Sequence, residues 1–321
     1  MSQLPTTTNV SDARPAKRQR TESELTRSDI WYDDGSVVLQ AEATQFRVHW
    51  SILSLHSTFF RDMRTLPQPA DEQSVEGCPV VELHDSSTDL KILLRVLYDP
   101  LFNDRAPFLD DLASIIRLGR KYNFENLLAS AVQRLTYEHP TTLDEFEKLL
   151  DETGWYRPTK YIGICFDVIN VAQENGLLAV LPSAYLRAIV YFTQEHILKG
   201  FHGPSLSYTF SAEAQHRIIL GGRKIIEAQW TRCDLWDWLS SDLCAVGCTS
   251  IPSCLDRKKA IFQVVIAQSF SAIPFQRLAS GLCATCGAHH AKIMAEGRKK
   301  LWEDLPTFFD LPPWAELKND I

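Results

Sequence analysis

Five of the eight cysteines fall within one short stretch: Cys244, Cys248, Cys254, Cys283 and Cys286. Cys283-Ala284-Thr285-Cys286 is a CxxC knuckle followed by Gly287, a spacing that lets two thiolates reach one metal ion from a tight turn. With Cys248 and Cys254 upstream, it makes an expected tetrahedral site for a structural zinc ion. Cys244 and His289 stand as alternative ligands. Such a site would be closed, since no general base accompanies it, and it would pin residues 240–290 together where the apolar pattern is thin. Two competing readings remain open. The cysteines are reduced side chains packed in a helical domain, or the CxxC is a redox pair. The redox reading wants a strand-to-helix context that the surrounding residues do not supply. Cys78 and Cys165 lie in apolar segments and read as core.

A second chemistry-bearing group is basic. Lys17, Arg18 and Arg20 form a compact cationic run after Pro15, in a segment of Thr, Ser, Pro and charge. Residues 1–27 hold too little apolar surface to offset the entropy of ordering and read as a disordered tail. The run fits the acidic groove of a nuclear import receptor or a phosphate backbone, the other reading being a solvated charge cluster, and nuclear import is the leading expectation. The expected residence is therefore the nucleus, the cytoplasm or both.

The 321 residues carry a net charge of −7, so the molecule as a whole is not an electrostatic nucleic-acid binder. Lys258-Lys259 and Arg298-Lys299-Lys300 read as solvated helix faces, which weakens a zinc-stabilised nucleic-acid binder as a further alternative. No apolar run approaches the roughly 18–20 residues that span a bilayer. The first 30 residues carry no apolar segment of the kind a secretory signal needs, so the cysteines are expected in a reducing compartment. The sequence contains no HExxH, GxSxG, dinucleotide fingerprint or complete phosphate loop. No catalytic residue, cofactor-binding residue or small-molecule substrate is therefore assigned, and the chain is expected not to be an enzyme.

The elements that must position these residues follow from periodicity. Residues 36–42 read as a strand after the Asp33-Asp34-Gly35 turn. In residues 45–49, Phe46 and Val48 alternate with Arg47, which is the period of a second hairpin strand. From His49 the period changes to that of a helix, through Ile52, Leu55, Phe59 and Met63. Ser57 is placed to cap the second of two short helices. Phe46, Val48, Ile52, Phe59 and Phe60 read as core, and His49 as a hydrogen-bonded structural histidine. A buried strand over 79–83 and helices over 89–97, 109–121 and 124–137 complete the N-terminal part.

These residues resemble a BTB/POZ domain, spread over residues 28–135. The match is carried by Asp29, Asp34-Gly35, Phe46-x-Val48-His49, Leu53-Ser54, Ser57-x-x-Phe60 and Leu97-Tyr98. It is most similar to the BTB proteins of mushroom-forming fungi. Their ending is similar to Gly297-Arg298-x-x-Leu301-Trp302-x-x-Leu305-Pro306 and Leu311-Pro312-Pro313-Trp314 here. The resemblance implies a protein-interaction module, often a homodimer, without a catalytic centre. It implies an α+β fold: a small sheet flanked by helices over 28–138, followed by a mainly α-helical region. That region divides into a helical extension over 139–240 and a cysteine-containing module over 241–321.

Some members of this family act as transcriptional or chromatin scaffolds, the leading expectation here. Others are substrate adaptors of cullin-type ubiquitin ligases and carry an apolar-x-Glu element after the second short helix. Here Leu66 is followed by Pro67 and Gln68, and Ser74-Val75-Glu76 has the wrong spacing, a departure that puts cullin binding in doubt.

Further along, Thr142 and Glu145 form a capping box. Helices are expected over 161–174, after Pro182 and from Ser211, with Gly221-Gly222 interrupting the last. Phe308, Phe309, Leu311 and Trp314 form an apolar, proline-stiffened strap expected to dock on the helices. A short motif for a partner's groove is the other reading.

Overall fold

A computed structural model describes residues 25–66, 73–99, 109–153, 164–202, 207–267 and 281–320. The N-terminal part opens with β1 (Thr26–Trp31), β2 (Val37–Ala41) and β3 (Thr44–Val48). The short helices α1 (Trp50–His56) and α2 (Thr58–Thr65) follow, then β4 (Ser74–Val75), β5 (Cys78–Leu83) and α3 (Ser87–Tyr98). The sheet order is β1-β3-β2-β5-β4. β2 pairs antiparallel with β3 and parallel with β5. The parallel pairing needs a crossover, and α1 and α2 lie in it.

β2 is the spine of the sheet. Val37, Val38, Leu39 and Ala41 are fully buried, as expected for a strand covered on both faces. β2 turns into β3 through Glu42 and Ala43, with Glu42 at φ 52°. The Glu42 carboxylate accepts hydrogen bonds from the backbone N–H and hydroxyl of Ser87, which fastens the hairpin to the first turn of α3.

The change of period at His49 is the passage from β3 into α1. Ser57 caps α2 by accepting from the Phe60 N–H, and its own hydroxyl donates to the Tyr122 carbonyl at 2.5 Å. Ile52 is half-buried, as is Met63, whereas Phe60 is buried. Phe59 departs from the core reading, being 38% exposed, and Leu55 on the same helical period is 70% exposed. The sequence period placed them on one face, but the break at Ser57 rotates the two short helices relative to each other.

α4 (Leu109–Lys121) and α5 (Glu125–Glu138) join two cores. One contains Phe46, Leu53, Phe60, Leu94 and Phe124 beside the sheet. The other runs from Val96, Ile116 and Val132 through the remaining helices to Leu317. Those helices are α6 (Leu143–Thr153), α7 (Ile164–Glu174), α8 (Leu181–Tyr191) and α9 (Gln194–Lys199). After a small hairpin of β6 (Phe201–His202) and β7 (Ser207–Tyr208) come α10 (Ala212–Thr231), α11 (Asp237–Ser240), α12 (Ile251–Ala267), α13 (Ala284–Glu303) and α14 (Leu305–Phe308).

Three local expectations are refined. Thr142 does cap α6, accepting from the Glu145 N–H, but it also donates its hydroxyl to the Glu145 carboxylate at 2.6 Å. α8 begins at Leu181, so Pro182 lies in its first turn, where the missing N–H costs nothing. α10 continues unbroken through Gly221-Gly222. A Cβ at Gly221 would collide with the Phe309 ring, so this glycine serves close packing and not a break.

The strap residues lie on the helical core. Phe309 is buried against Tyr185, with ring centroids 5.0 Å apart. Trp314 stacks on Trp302 and donates its indole N–H to the Trp302 carbonyl at 2.7 Å. The chain then reaches Ala179, whose N–H donates to Asn319 Oδ1 at 3.0 Å.

Candidate metal centre and interaction module

Three segments converge on the cysteines. The first is the loop after α11, which turns at Gly247 (φ 85°) with the Cys248 N–H donating to the Ala245 carbonyl at 3.0 Å. The second is the first turn of α12, where Cys254 is 1% exposed. The third is the start of α13: Cys283 occupies the N-cap position and Cys286 is fully buried in the first turn. The Sγ atoms of Cys248, Cys254, Cys283 and Cys286 all lie within 4.8 Å of one another. Those of Cys248 and Cys283 are 3.7 Å apart. The structure thus brings together the four cysteines that spacing singled out.

Backbone donors point at the sulfurs. The Cys283 N–H approaches Cys254 Sγ at 3.3 Å, and the Cys286 N–H approaches Cys283 Sγ at 3.5 Å. Donors from Cys286 and Thr249 bring the Cys283 thiol down to about 6. Burial pushes the Cys286 thiol up to about 12. The alternative ligands lie outside this four-sulfur set, although Cys244 interacts with Cys248 and Cys286 at its edge. Cys244 Sγ is directed to the Ile251 carbonyl at 3.8 Å, and exposed His289 sits edge-on to Trp238.

One residue of this centre was misread from sequence. Lys258 is no solvated face residue: it is 1% exposed, while Lys259 beside it is exposed. Its ammonium donates to the carbonyls of Ser241 (2.7 Å) and Leu243 (2.5 Å) and lies 4.4 Å from the Trp238 ring centre. The signal was present in the sequence. Cys254, Lys258, Ile261 and Val265 recur at helical spacing and are all buried, so the lysine sits in the apolar stripe of α12. His290 stacks on Trp238, and its Nδ1 is buried without a hydrogen-bond partner.

Other candidates are accounted for. His49 is structural: its backbone N–H donates to the Tyr98 hydroxyl at 2.9 Å, and its Nε2 lies 3.1 Å from Asp34. Cys78 is buried in β5 and donates to the Gly35 carbonyl, and Cys165 is half-buried in α7. Arg298 of α13 pairs with Glu147 of α6 at 2.7 Å, so one cation of that run joins two helices, while Lys300 forms an exposed pair at 3.3 Å with Asp234 in the loop before α11. Lys17, Arg18 and Arg20 lie outside the described residues, as does most of the segment between Leu66 and Gln73 where a cullin-binding element would fall. No helix among the described residues is long and apolar enough to cross a membrane.

The sheet order, the α1–α2 crossover and the helices through α5 form one α+β unit. A family model for the BTB/POZ domain matches residues 32–139. The chain carries a BTB/POZ domain, a protein-interaction module, joined to a mainly helical C-terminal region. No curated protein matches the chain.

Proposed function

We propose that the chain is a non-catalytic scaffold that self-associates through its BTB/POZ domain and works in nuclear, transcription-associated complexes. The observation that carries the reading is the coincidence of the family match at residues 32–139 with the sheet and helices described between Thr26 and Glu138. Self-association is supported by apolar side chains on the α1–α2 pair and just after it: Leu55, Phe59 and Leu66 are 70%, 38% and 62% exposed. Exposed apolar side chains of this kind suit burial against a second copy. The nuclear address rests on Lys17, Arg18 and Arg20 and their fit to an import receptor.

Light scattering of the 321-residue chain tests the first half. A dimer mass is expected, falling to the monomer for Leu55→Asp/Phe59→Asp, and a monomeric parent chain overturns it. Replacing Lys17, Arg18 and Arg20 by Ala in a fluorescent fusion is expected to abolish nuclear accumulation, and unchanged accumulation removes the address. Titration of the same sample with a cullin N-terminal domain is expected to give no saturable binding. Micromolar binding would replace the scaffold reading with that of a ligase adaptor.

A further inference from the structure

We propose that Cys248, Cys254, Cys283 and Cys286 bind one zinc ion as four thiolates, and that buried Lys258 balances part of the resulting charge. The geometry is the first argument. Zn–S bonds of about 2.3 Å directed to a tetrahedron place the sulfurs about 3.8 Å apart. Cys248 and Cys283 stand at 3.7 Å, and all four sulfurs fall within 4.8 Å. An all-thiolate donor set selects a soft or borderline ion over magnesium or calcium. With four protein sulfurs and two of the residues fully buried, no coordination position is left for substrate, so the site is structural.

Charge is the second argument, and it is independent of the sulfur distances. A zinc ion with four thiolates carries a net charge of −2. Two features of this centre are positive. The N-terminus of the 20-residue helix α13 begins at the site, with Cys283 as its cap. Lys258 lies one turn along α12 from Cys254. Its ammonium is buried, yet among the described residues no carboxylate comes within ion-pair distance of it. Burying an ammonium without a counter-charge is costly. Cys286 acts electrostatically on Lys258, as do Cys244 at the edge of the cluster and exposed Asp242 from beyond ion-pair distance, so the ammonium lies beside the sulfurs with only a distant carboxylate to balance it. A dianionic metal centre would supply the missing charge.

Binding is a proton exchange with no redox step: Zn²⁺ replaces the protons of the four thiols, which leave to solvent, and forms four Zn–S bonds. The ion would then join the loop after α11 to the starts of α12 and α13. The site thus spans the gap between Cys254 and Cys283, two sequence-distant turns linked here through their side chains.

The test uses the untagged 321-residue chain, purified without chelator. Elemental analysis is expected to give one zinc per chain. Exchange into cobalt is expected to give the visible bands and sulfur charge-transfer absorption of a tetrahedral four-thiolate centre, a readout needing no variant to fold. Alkylation with mass-spectrometric mapping is expected to spare Cys248, Cys254, Cys283 and Cys286 until chelator is added, while Cys244 reacts throughout. Cys244→Ser and His289→Ala are expected to keep the metal, and Cys254→Ser and Cys286→Ser to lose it. Lys258→Met is expected to weaken zinc affinity by about 10- to 100-fold, the range of an outer-shell partner. A chain without metal that takes up no cobalt overturns the proposal, as does a disulfide among the four cysteines. Iron in place of zinc overturns the choice of ion, and unchanged affinity in Lys258→Met overturns the role of the lysine.

Discussion

The sheet around β2 and the cysteine centre between α11 and α13 show two ways of holding a chain. The first buries apolar side chains on both faces of paired strands, and Val37, Val38, Leu39 and Phe46 are fully excluded from solvent. The second carries exposed apolar side chains: Leu243 and Val246 are 74% and 100% exposed. What it gathers is polar and reactive: four thiols close to one another, and an ammonium and a histidine against Trp238. Apolar burial orders a region whatever its chemistry, whereas a centre of this second kind depends on which charges and ions meet there.

The largest expected effect separates the two regions directly. Phe46→Ala empties a fully buried position and is expected to cost about 3–5 kcal/mol in denaturant unfolding. Metal content under native conditions should stay unchanged. Loss of metal in that variant would tie the two regions together.

A smaller effect lies in the lysine pair. Lys258→Met leaves the carbonyls of Ser241 and Leu243 without their donor and is expected to cost about 1.5–3 kcal/mol. Lys259→Met, on the exposed face, is expected to stay within about 0.5 kcal/mol. Equal effects on chemical unfolding would show that burial of Lys258 has no energetic meaning.

The smallest effect concerns pH and the helical core that joins the regions. His139 is buried, and burial, with the Arg187 guanidinium adding to it, holds its imidazolium form well below the usual range. Below about pH 6.5 the unfolded chain binds a proton at this residue that the folded chain does not. Stability therefore falls as pH drops through that value, by up to about 1.4 kcal/mol per pH unit. Melting curves between pH 7 and 5.5 should show this slope, and His139→Gln should flatten it at equal metal content.

The sequence disclosed most where one period dominates. β2, β3, β5 and the helices α3 to α5 are visible in alternation and helical spacing, and Ser57 in its capping position. β1 was hidden because Thr-Arg-Ser-Asp-Ile-Trp buries only Ile30 fully. It is an edge strand held by backbone pairing with β3, which leaves no apolar pattern to read. Gly221-Gly222 misled because glycine signals both a break and a close approach, and only the position of Phe309 decides between them. At the cysteine centre the residue types were legible. The set Cys248, Cys254, Cys283 and Cys286 was also legible, with Cys244 as an alternative, whereas the approach of the four sulfurs needed the fold, and Lys258 required α12 to be seen as a helix with a charged residue in its buried stripe.

Hydrogen–deuterium exchange of the 321-residue chain with and without a zinc chelator tests the central claim most directly. Amides of residues 244–254 and 283–290 are expected to lose protection on chelation, while those of β2, β3 and β5 keep it. Protection unchanged at the cysteines, or lost equally in the sheet, would contradict the division of the molecule into a packing-held and a metal-held region.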